Sequence, residues 1–263
     1  RRMQGELPAI WPEAMATLRR DAQAAGKVLA SRQASGEVIA QLSALLPELL
    51  GGSADLSGSN NTNWPAAAPI TAEDASGNYV YYGVREFGMT AIANGLALHG
   101  GLVPFTGTFL MFMEYARNAV RMSALMGLQN IHVYTHDSIG QGEDGPTHQP
   151  VEHLSALRVI PNTFVFRPAD AIETLECWQL ALQLDTAPSI LALTRQGLPS
   201  VRALNHFISS GIRHGSAPSL PMTPLRATAT TARRRPLVRT RRMPHDLIWD
   251  PAIVRISKAL AAA

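Results

Sequence analysis

Two rhythms of apolar residues run through the first 200 positions, and their alternation predicts the architecture. Over residues 27–46 apolar side chains recur at helical intervals, at Val28, Leu29, Val38, Ile39, Leu42, Leu45 and Leu46, which lines one face of a helix. Residues 85–98, 151–160 and 169–184 repeat that spacing. Residues 109–126 are predicted as a long helix in which Phe109, Phe112 and Tyr115, three apart, fall on one face. Between these segments lie short, nearly continuous apolar runs: Leu49-Leu50 leading into a Gly-rich loop, Leu102-Val-Pro-Phe-Thr106, Ile131-His-Val-Tyr-Thr135, Thr163-Phe-Val-Phe166 and Ser189-Ile-Leu-Ala-Leu-Thr194. Runs of that length bounded by turn residues read as buried strands. Strands alternating with long helices predict an α/β fold, an open and mostly parallel sheet with helices on both faces. The turn-rich residues 60–77 are expected at the surface.

The two ends differ from this middle. Residues 1–26 are polar and Ala-rich, punctuated by Pro8 and Pro12, and read as a linker with helical pieces. The first residues are Arg1-Arg2 rather than Met, so a fragment, a processed product or a trimmed reading frame is expected. Beyond Arg202 the chain changes character, and residues 217–245 are rich in Pro, Thr and Arg without apolar periodicity. Such a segment buries too little surface to offset its ordering entropy, so disorder is expected. The organisation expected is a linker over 1–26, one domain over 27–202, and an atypical tail over 203–263.

Charge sharpens that division. Residues 1–202 carry 13 Arg or Lys against 18 Asp or Glu, while residues 203–263 carry 10 against 2. The overall charge of +3 therefore belongs to the tail. The folded part is acidic, and the whole-chain charge gives no argument for a nucleic-acid surface. The single cysteine, Cys177, excludes an intramolecular disulfide framework and any CxxC motif. No signal peptide and no apolar run of about 18 residues is present. A cytoplasmic protein is expected.

Candidate chemistry concentrates after the strand 131–135, where His136, Asp137, Glu143, Asp144 and His148 crowd a Gly-rich loop. A polar loop at the carboxyl end of a buried strand is where an open parallel sheet places its ligand. A second candidate is Glu86, at the front of the apolar helix 85–98. Buried there, its carboxylate would hold a proton or pair with a basic ring nitrogen. The Phe109, Phe112 and Tyr115 stripe could be ordinary core or a wall against a flat heterocycle.

Several longer motifs, in order, resemble one family. They are Ala30-Ser-Arg-Gln-Ala-Ser35, Gly51-Gly-Ser-Ala-Asp-Leu56, Gly83-Val-Arg-Glu-Phe-Gly88, Thr108-Phe-Leu-Met-Phe-Met-Glu-Tyr-Ala-Arg117, Thr135-His-Asp-Ser-Ile-Gly140, Gly142-Glu-Asp-Gly-Pro-Thr-His-Gln149 and Thr194-Arg-Gln196. Together they are similar to the central, pyrimidine-binding domain of transketolases. The resemblance implies thiamine diphosphate as cofactor, with Glu86 bonding a ring nitrogen of its aminopyrimidine, Phe109, Phe112 and Tyr115 surrounding that ring, and Asp55 nearby. It implies a sugar-phosphate clamp of Arg32, Ser59, His136 and Arg195. It also implies Asp144 on a substrate hydroxyl and His148 near the reacting carbonyl, Glu86 and His148 being the catalytic pair. The reaction implied is transfer of a two-carbon ketol unit from a ketose phosphate to an aldose phosphate.

The family's diphosphate-binding domain holds a divalent metal (Mg or Ca) through a Gly-Asp-Gly segment and a downstream Asn, and nothing here matches them. The resemblance thus implies half an active site, completed in a homodimer by the diphosphate-binding domain of a second subunit, and an isolated chain without turnover. Two alternatives stand beside it. One is another thiamine-diphosphate enzyme, a 2-oxoacid dehydrogenase β-type subunit or a deoxyxylulose-phosphate synthase relative, against which the sugar-phosphate clamp argues. The other is a non-catalytic remnant or binding module whose basic tail contacts nucleic acid or a protein.

Overall fold

The computed structural model describes residues 5–201. Its centre is a six-stranded sheet, entirely parallel, built from β2 (Leu49–Ser53), β3 (Tyr79–Tyr81), β4 (Val103–Phe109), β5 (Ile131–Thr135), β6 (Phe164–Phe166) and β7 (Ser189–Leu193) in the order β3-β2-β4-β5-β7-β6. A separate antiparallel pair joins β1 (Leu29–Ala30) to β8 (Gly197–Leu198). The long helices are α1 (Trp11–Ala25), α2 (Ser31–Leu45), α4 (Glu86–His99), α5 (Met113–Met126) and α7 (Ala171–Gln183), with short α3 (Ser57–Asn60) and α6 (His153–Arg158) between them. The expected class of fold is therefore the one observed.

Side-chain parity explains why both faces are covered. On β5 and β7, Ile131, Val133, Leu191 and Leu193 enter one core with Phe105, Trp178, Ile39 and Leu42, against α1, α2 and α7. Their neighbours Tyr134, Ile190 and Ala192 enter a second core with Leu110, Met113, Val120 and Leu157, against α5 and α6. Successive strand residues point to opposite faces, and a parallel sheet between two helical layers needs apolar groups on both. That is why these strands read as continuous rather than alternating apolar runs.

The middle of β2 carries no side chains. A Cβ on Gly51 would lie 2.3 Å from the Phe105 ring, and one on Gly52 2.3 Å from the Tyr82 ring. The two rings cover the bare strand from opposite sides. Helix α7 begins at Asp170, whose carboxylate accepts from Glu173 N at 2.9 Å, a side-chain cap on an otherwise orphan donor. Its other oxygen accepts from Val201 N at 2.9 Å, fastening the last described residue to the domain.

Three expectations need correction. The helix expected over 109–126 starts only at Met113. Phe109 ends β4, paired with Thr135 of β5, and residues 110–112 form the turn from β4 into α5. Aromatics spaced by three mimic a helical face, but the ladder to β5 satisfies Phe109 as a strand residue. The segment 60–77 is not simply surface, because Asn60, Thr62 and Trp64 are buried within it. Turn residues there surround three side chains that plug the sheet edge. Finally, residues 11–25 form the continuous helix α1, and its Trp11 and Met15 join the core beside α7. The tail 203–263, with its expected disorder and nucleic-acid alternative, lies outside the described residues.

Candidate active site

In an all-parallel sheet every strand ends at the same edge. The chain leaves β2 toward β3 on one side, and leaves β4 toward β5 on the other. The crevice beyond the carboxyl ends of β2 and β4 is thus a switch point, where such sheets bind ligands. Most of the residues singled out in the sequence converge there. A recess of about 390 Å³, by contrast, lies at the amino-terminal edge, against residues 100–103 and 127–129, and holds none of them.

One part of the crevice is aromatic. Phe109 at the end of β4 stacks on Phe112, with ring centroids 5.7 Å apart and planes within 5°. Tyr115 tilts against Phe112 at 6.1 Å but is largely exposed. His148, in a short 3-10 turn, sets its ring edge on Phe112 at 5.1 Å. Its Nδ1 lies 2.9 Å from the Thr147 hydroxyl. Glu86, the first residue of α4, is only 7% exposed. A carboxylate in the first turn of a helix is favoured by the backbone dipole, and its charge reaches the buried Tyr134 phenol, which burial holds above its ordinary range.

The other part is charged. Arg32, in the first turn of α2, donates from Nη1 to the Ser59 carbonyl at 2.5 Å. The Ser59 contact is therefore made by its backbone. Burial, then the neighbouring Arg195 charge, push Arg32 below the ordinary guanidinium range, with Asp144 opposing. Arg195 reaches Glu143 at 3.5 Å and packs against Gly142, where a Cβ would meet its Nη1 at 2.7 Å. His136, directly after β5, takes a left-handed backbone with φ 57° and lies on the Phe109 ring at 3.7 Å. Its imidazole is held down to about 4, first by burial and then by Arg32, against Asp144, with Arg195 and His148 adding to the effect. It is neutral at pH 7. Asp55 stands apart, exposed in the turn after β2 with φ 64°, where nothing among the described residues draws it into the cluster.

A family model described as "Transketolase, pyrimidine binding domain" matches residues 27–201. The chain belongs to that family. Transketolase 1 of Vibrio cholerae is 59% identical over 198 residues, which is 75% of this chain and 30% of the relative. Transketolase 2 of Vibrio parahaemolyticus is 58% identical over the same shares. Among solved structures, transketolase from Leishmania mexicana superposes with a TM-score of 0.70 at 45% identity, covering 75% of this chain and 29% of that one. A split-gene transketolase described as an inactive β4 tetramer matches at a TM-score of 0.55 and 29% identity, covering 70% of this chain and 56% of that one. This member of the transketolase family thus spans about a third of the length of the curated relatives it matches.

Of the loop residues crowded after β5, Asp137 has a structural part, while Ser53, Asn60 and Thr135 carry no individual signal in the sequence. Asp137, fully buried, accepts from Arg167 Nε at 2.7 Å and so anchors the loop after β5. Asn60, Thr135 and Ser53 form a buried hydrogen-bonded file behind His136. Asn60 lies in a stretch that reads as turn, and only its burial marks it. Among the described residues no group of three or more His, Cys, Asp or Glu could hold a metal ion, and no helix is long and apolar enough to cross a membrane.

Proposed function

We propose that this chain supplies the pyrimidine-binding half of a thiamine-diphosphate-dependent transfer of a two-carbon ketol unit from a ketose phosphate to an aldose phosphate. The observation that carries the reading is the meeting, at one sheet edge, of a parallel aromatic pair beside the enclosed Glu86 carboxylate with the Arg32, His136 and Arg195 cluster. The donor set fits the cofactor's flat aminopyrimidine. Phe109 and Phe112 offer apolar ring surface, and Glu86 offers an oxygen that can share a proton with a ring nitrogen of matched basicity. Asp55 and Tyr115, exposed in this chain, would complete the cofactor contacts only with a further domain over them.

Thiamine diphosphate, when bound, supplies the carbanion chemistry. The chain's own residues orient and bind. Glu86 holds a proton at the pyrimidine ring nitrogen. Arg32 and Arg195 receive the substrate phosphate, because guanidinium forks pair with its oxygens, and Ser59 and His136 complete that clamp. Asp144 reads a substrate hydroxyl, and His148, braced on Phe112, faces the reacting carbonyl. The divalent metal, the diphosphate contacts and the rest of the site belong to the diphosphate-binding domain of a second subunit, in a cytoplasmic homodimer. The likeness to a split-gene chain described as inactive supports the view that this half does not turn over alone.

The test is ketol transfer from xylulose 5-phosphate to ribose 5-phosphate with thiamine diphosphate and Mg²⁺. The purified chain is expected to be silent, and activity is expected on adding the amino-terminal domain of the Vibrio cholerae relative. Glu86→Gln should lower that reconstituted rate by about 10²-fold or more. Turnover by the chain alone would remove the half-site reading, and a fully active Glu86→Gln mixture would remove the role of Glu86.

A further inference from the structure

Behind His136 runs a file of hydrogen bonds that starts at the Gly107 carbonyl, which also accepts from Ala54 N at 3.0 Å. The Gly107 carbonyl can only accept, and it takes the Ser53 hydroxyl at 3.0 Å. With its proton committed, Ser53 Oγ accepts, from Leu56 N at 3.3 Å and from Asn60 Nδ2 at 3.2 Å. The Asn60 amide is placed with Nδ2 toward Ser53 and Oδ1 toward Thr135. Asn60 Oδ1 accepts from the Thr135 hydroxyl at 2.7 Å. Thr135 Oγ1, its own proton spent, can only accept from the ring nitrogen 2.9 Å away, His136 Nδ1. Ser53, Asn60, Thr135 and His136 are all buried, so water does not compete for these bonds. Every link in this direction agrees with the donor and acceptor inventory of the groups.

A neutral imidazole that carries its proton on Nδ1 has a bare lone pair on Nε2. The charges around the ring are Arg32 from α2, Arg195 after β7, and Asp144 and His148 from the loop after β5, while Asp137 is turned to Arg167. Two guanidiniums beside an acceptor nitrogen make an unusual anion clamp, since a phosphate dianion offers His136 no proton. We propose that Asn60 and Thr135 are positioning residues that lock His136 as the Nδ1–H tautomer, so that the clamp admits a phosphate group together with one proton, held between a phosphate oxygen and His136 Nε2. The ligand half of this inference rests on the sugar-phosphate reading of the cluster, whereas the lock does not. At pH above the second phosphate pKa of about 6, the proton comes from solution, and the neighbouring dianion favours the protonated ring.

The lock is read directly by two-bond ¹H–¹⁵N correlation on the full chain labelled with ¹⁵N-histidine. His136 is expected with a protonated Nδ1 and a pyridine-like Nε2 at pH 7. Thr135→Val should release a mixture of tautomers, and Thr135→Ser, which keeps the hydroxyl, should retain the lock. A protonated Nε2 in the unmodified chain, or an unchanged pattern in Thr135→Val, would overturn it. Should Thr135→Val fail to fold, the unmodified chain and Thr135→Ser still decide. Calorimetry with ribose 5-phosphate in buffers of different ionisation enthalpy tests the ligand half. Uptake approaching one proton at pH 8 is expected, with affinity falling up to about tenfold per pH unit above that. Binding without proton uptake, or no binding at all, would overturn the ligand half, and the second result would also count against the sugar-phosphate reading while leaving the lock intact.

Discussion

The two faces of this sheet are built from the same strands and to different ends. Under α2 and α7 the core is almost wholly apolar, with Phe105 edge-on to Trp178 at 5.7 Å and Ile131, Val133 and Leu191 around them. On the opposite face the same strands bury Thr106, Thr108, His132 and Tyr134, and α4 buries Thr90 and Asn94. Asn94 in turn meets Ser123, Ala119 and Asn130. Apolar packing is roughly proportional to area and tolerant of direction, whereas hydrogen-bonded groups are directional and costly when unpaired. The first face supplies cohesion, as does the second core against α5 and α6. On that second face Asn94 also ties the helix that begins with Glu86 to α5 and to the residue before β5.

Breaking the apolar face should cost most. Trp178 is fully buried and donates from Nε1 to Ser35 Oγ at 2.8 Å. Trp178→Ala should lower stability by about 3–5 kcal/mol in urea denaturation. The polar face should show itself instead through acid. Burial holds His132 down to about 3, below the unfolded value of about 6.5. The unfolded chain then binds more protons between those values, so stability is full above pH 6.5 and falls as pH drops below it. His132 should account for roughly 2 kcal/mol of loss by pH 5, and His136, held down to about 4, for about as much again. Replacing His132 by Phe together with Thr106 by Val removes both partners of a 2.9 Å contact and should cut that pH slope by about half. A slope unchanged in the double variant would place the acid sensitivity elsewhere. The smallest effect belongs to neither face: the exposed Lys27–Glu37 pair, 2.9 Å apart, should yield about 0.5 kcal/mol or less on Lys27→Ala.

The same contrast explains what the amino-acid sequence revealed. The strands β5 and β7 were legible because both of their faces are buried, which leaves continuous apolar runs. Helix α4 was legible because its period is uninterrupted. The junction at Phe109 was not, since three aromatics spaced by three satisfy a helical template, and only pairing with Thr135 decides for strand. The two-residue partners β1 and β8 lie about 170 positions apart, beyond the reach of any local pattern. In the site, charged and ring side chains announced themselves by type and crowding. Asn60, Thr135 and Ser53 did not, because ordinary small polar residues become informative only when the fold brings them into file. Asp137 announced itself by crowding, but its anchoring part came from the Arg167 that meets it.

The bare stretch of β2 has a further consequence. With Phe105 pressed on Gly51 and Tyr82 on Gly52, the strand resembles a shaft with two flats cut on opposite sides, each holding a key. A slide of one residue, about 3.3 Å, would drive Leu50 or Ser53 into a space already filled by a ring. Neighbouring strands thus index this one through atoms it lacks. The span from Ser53 to Asn60 is thereby set against β4 and β5 to within less than a residue's step, a tolerance that the file of hydrogen bonds ending at His136 requires.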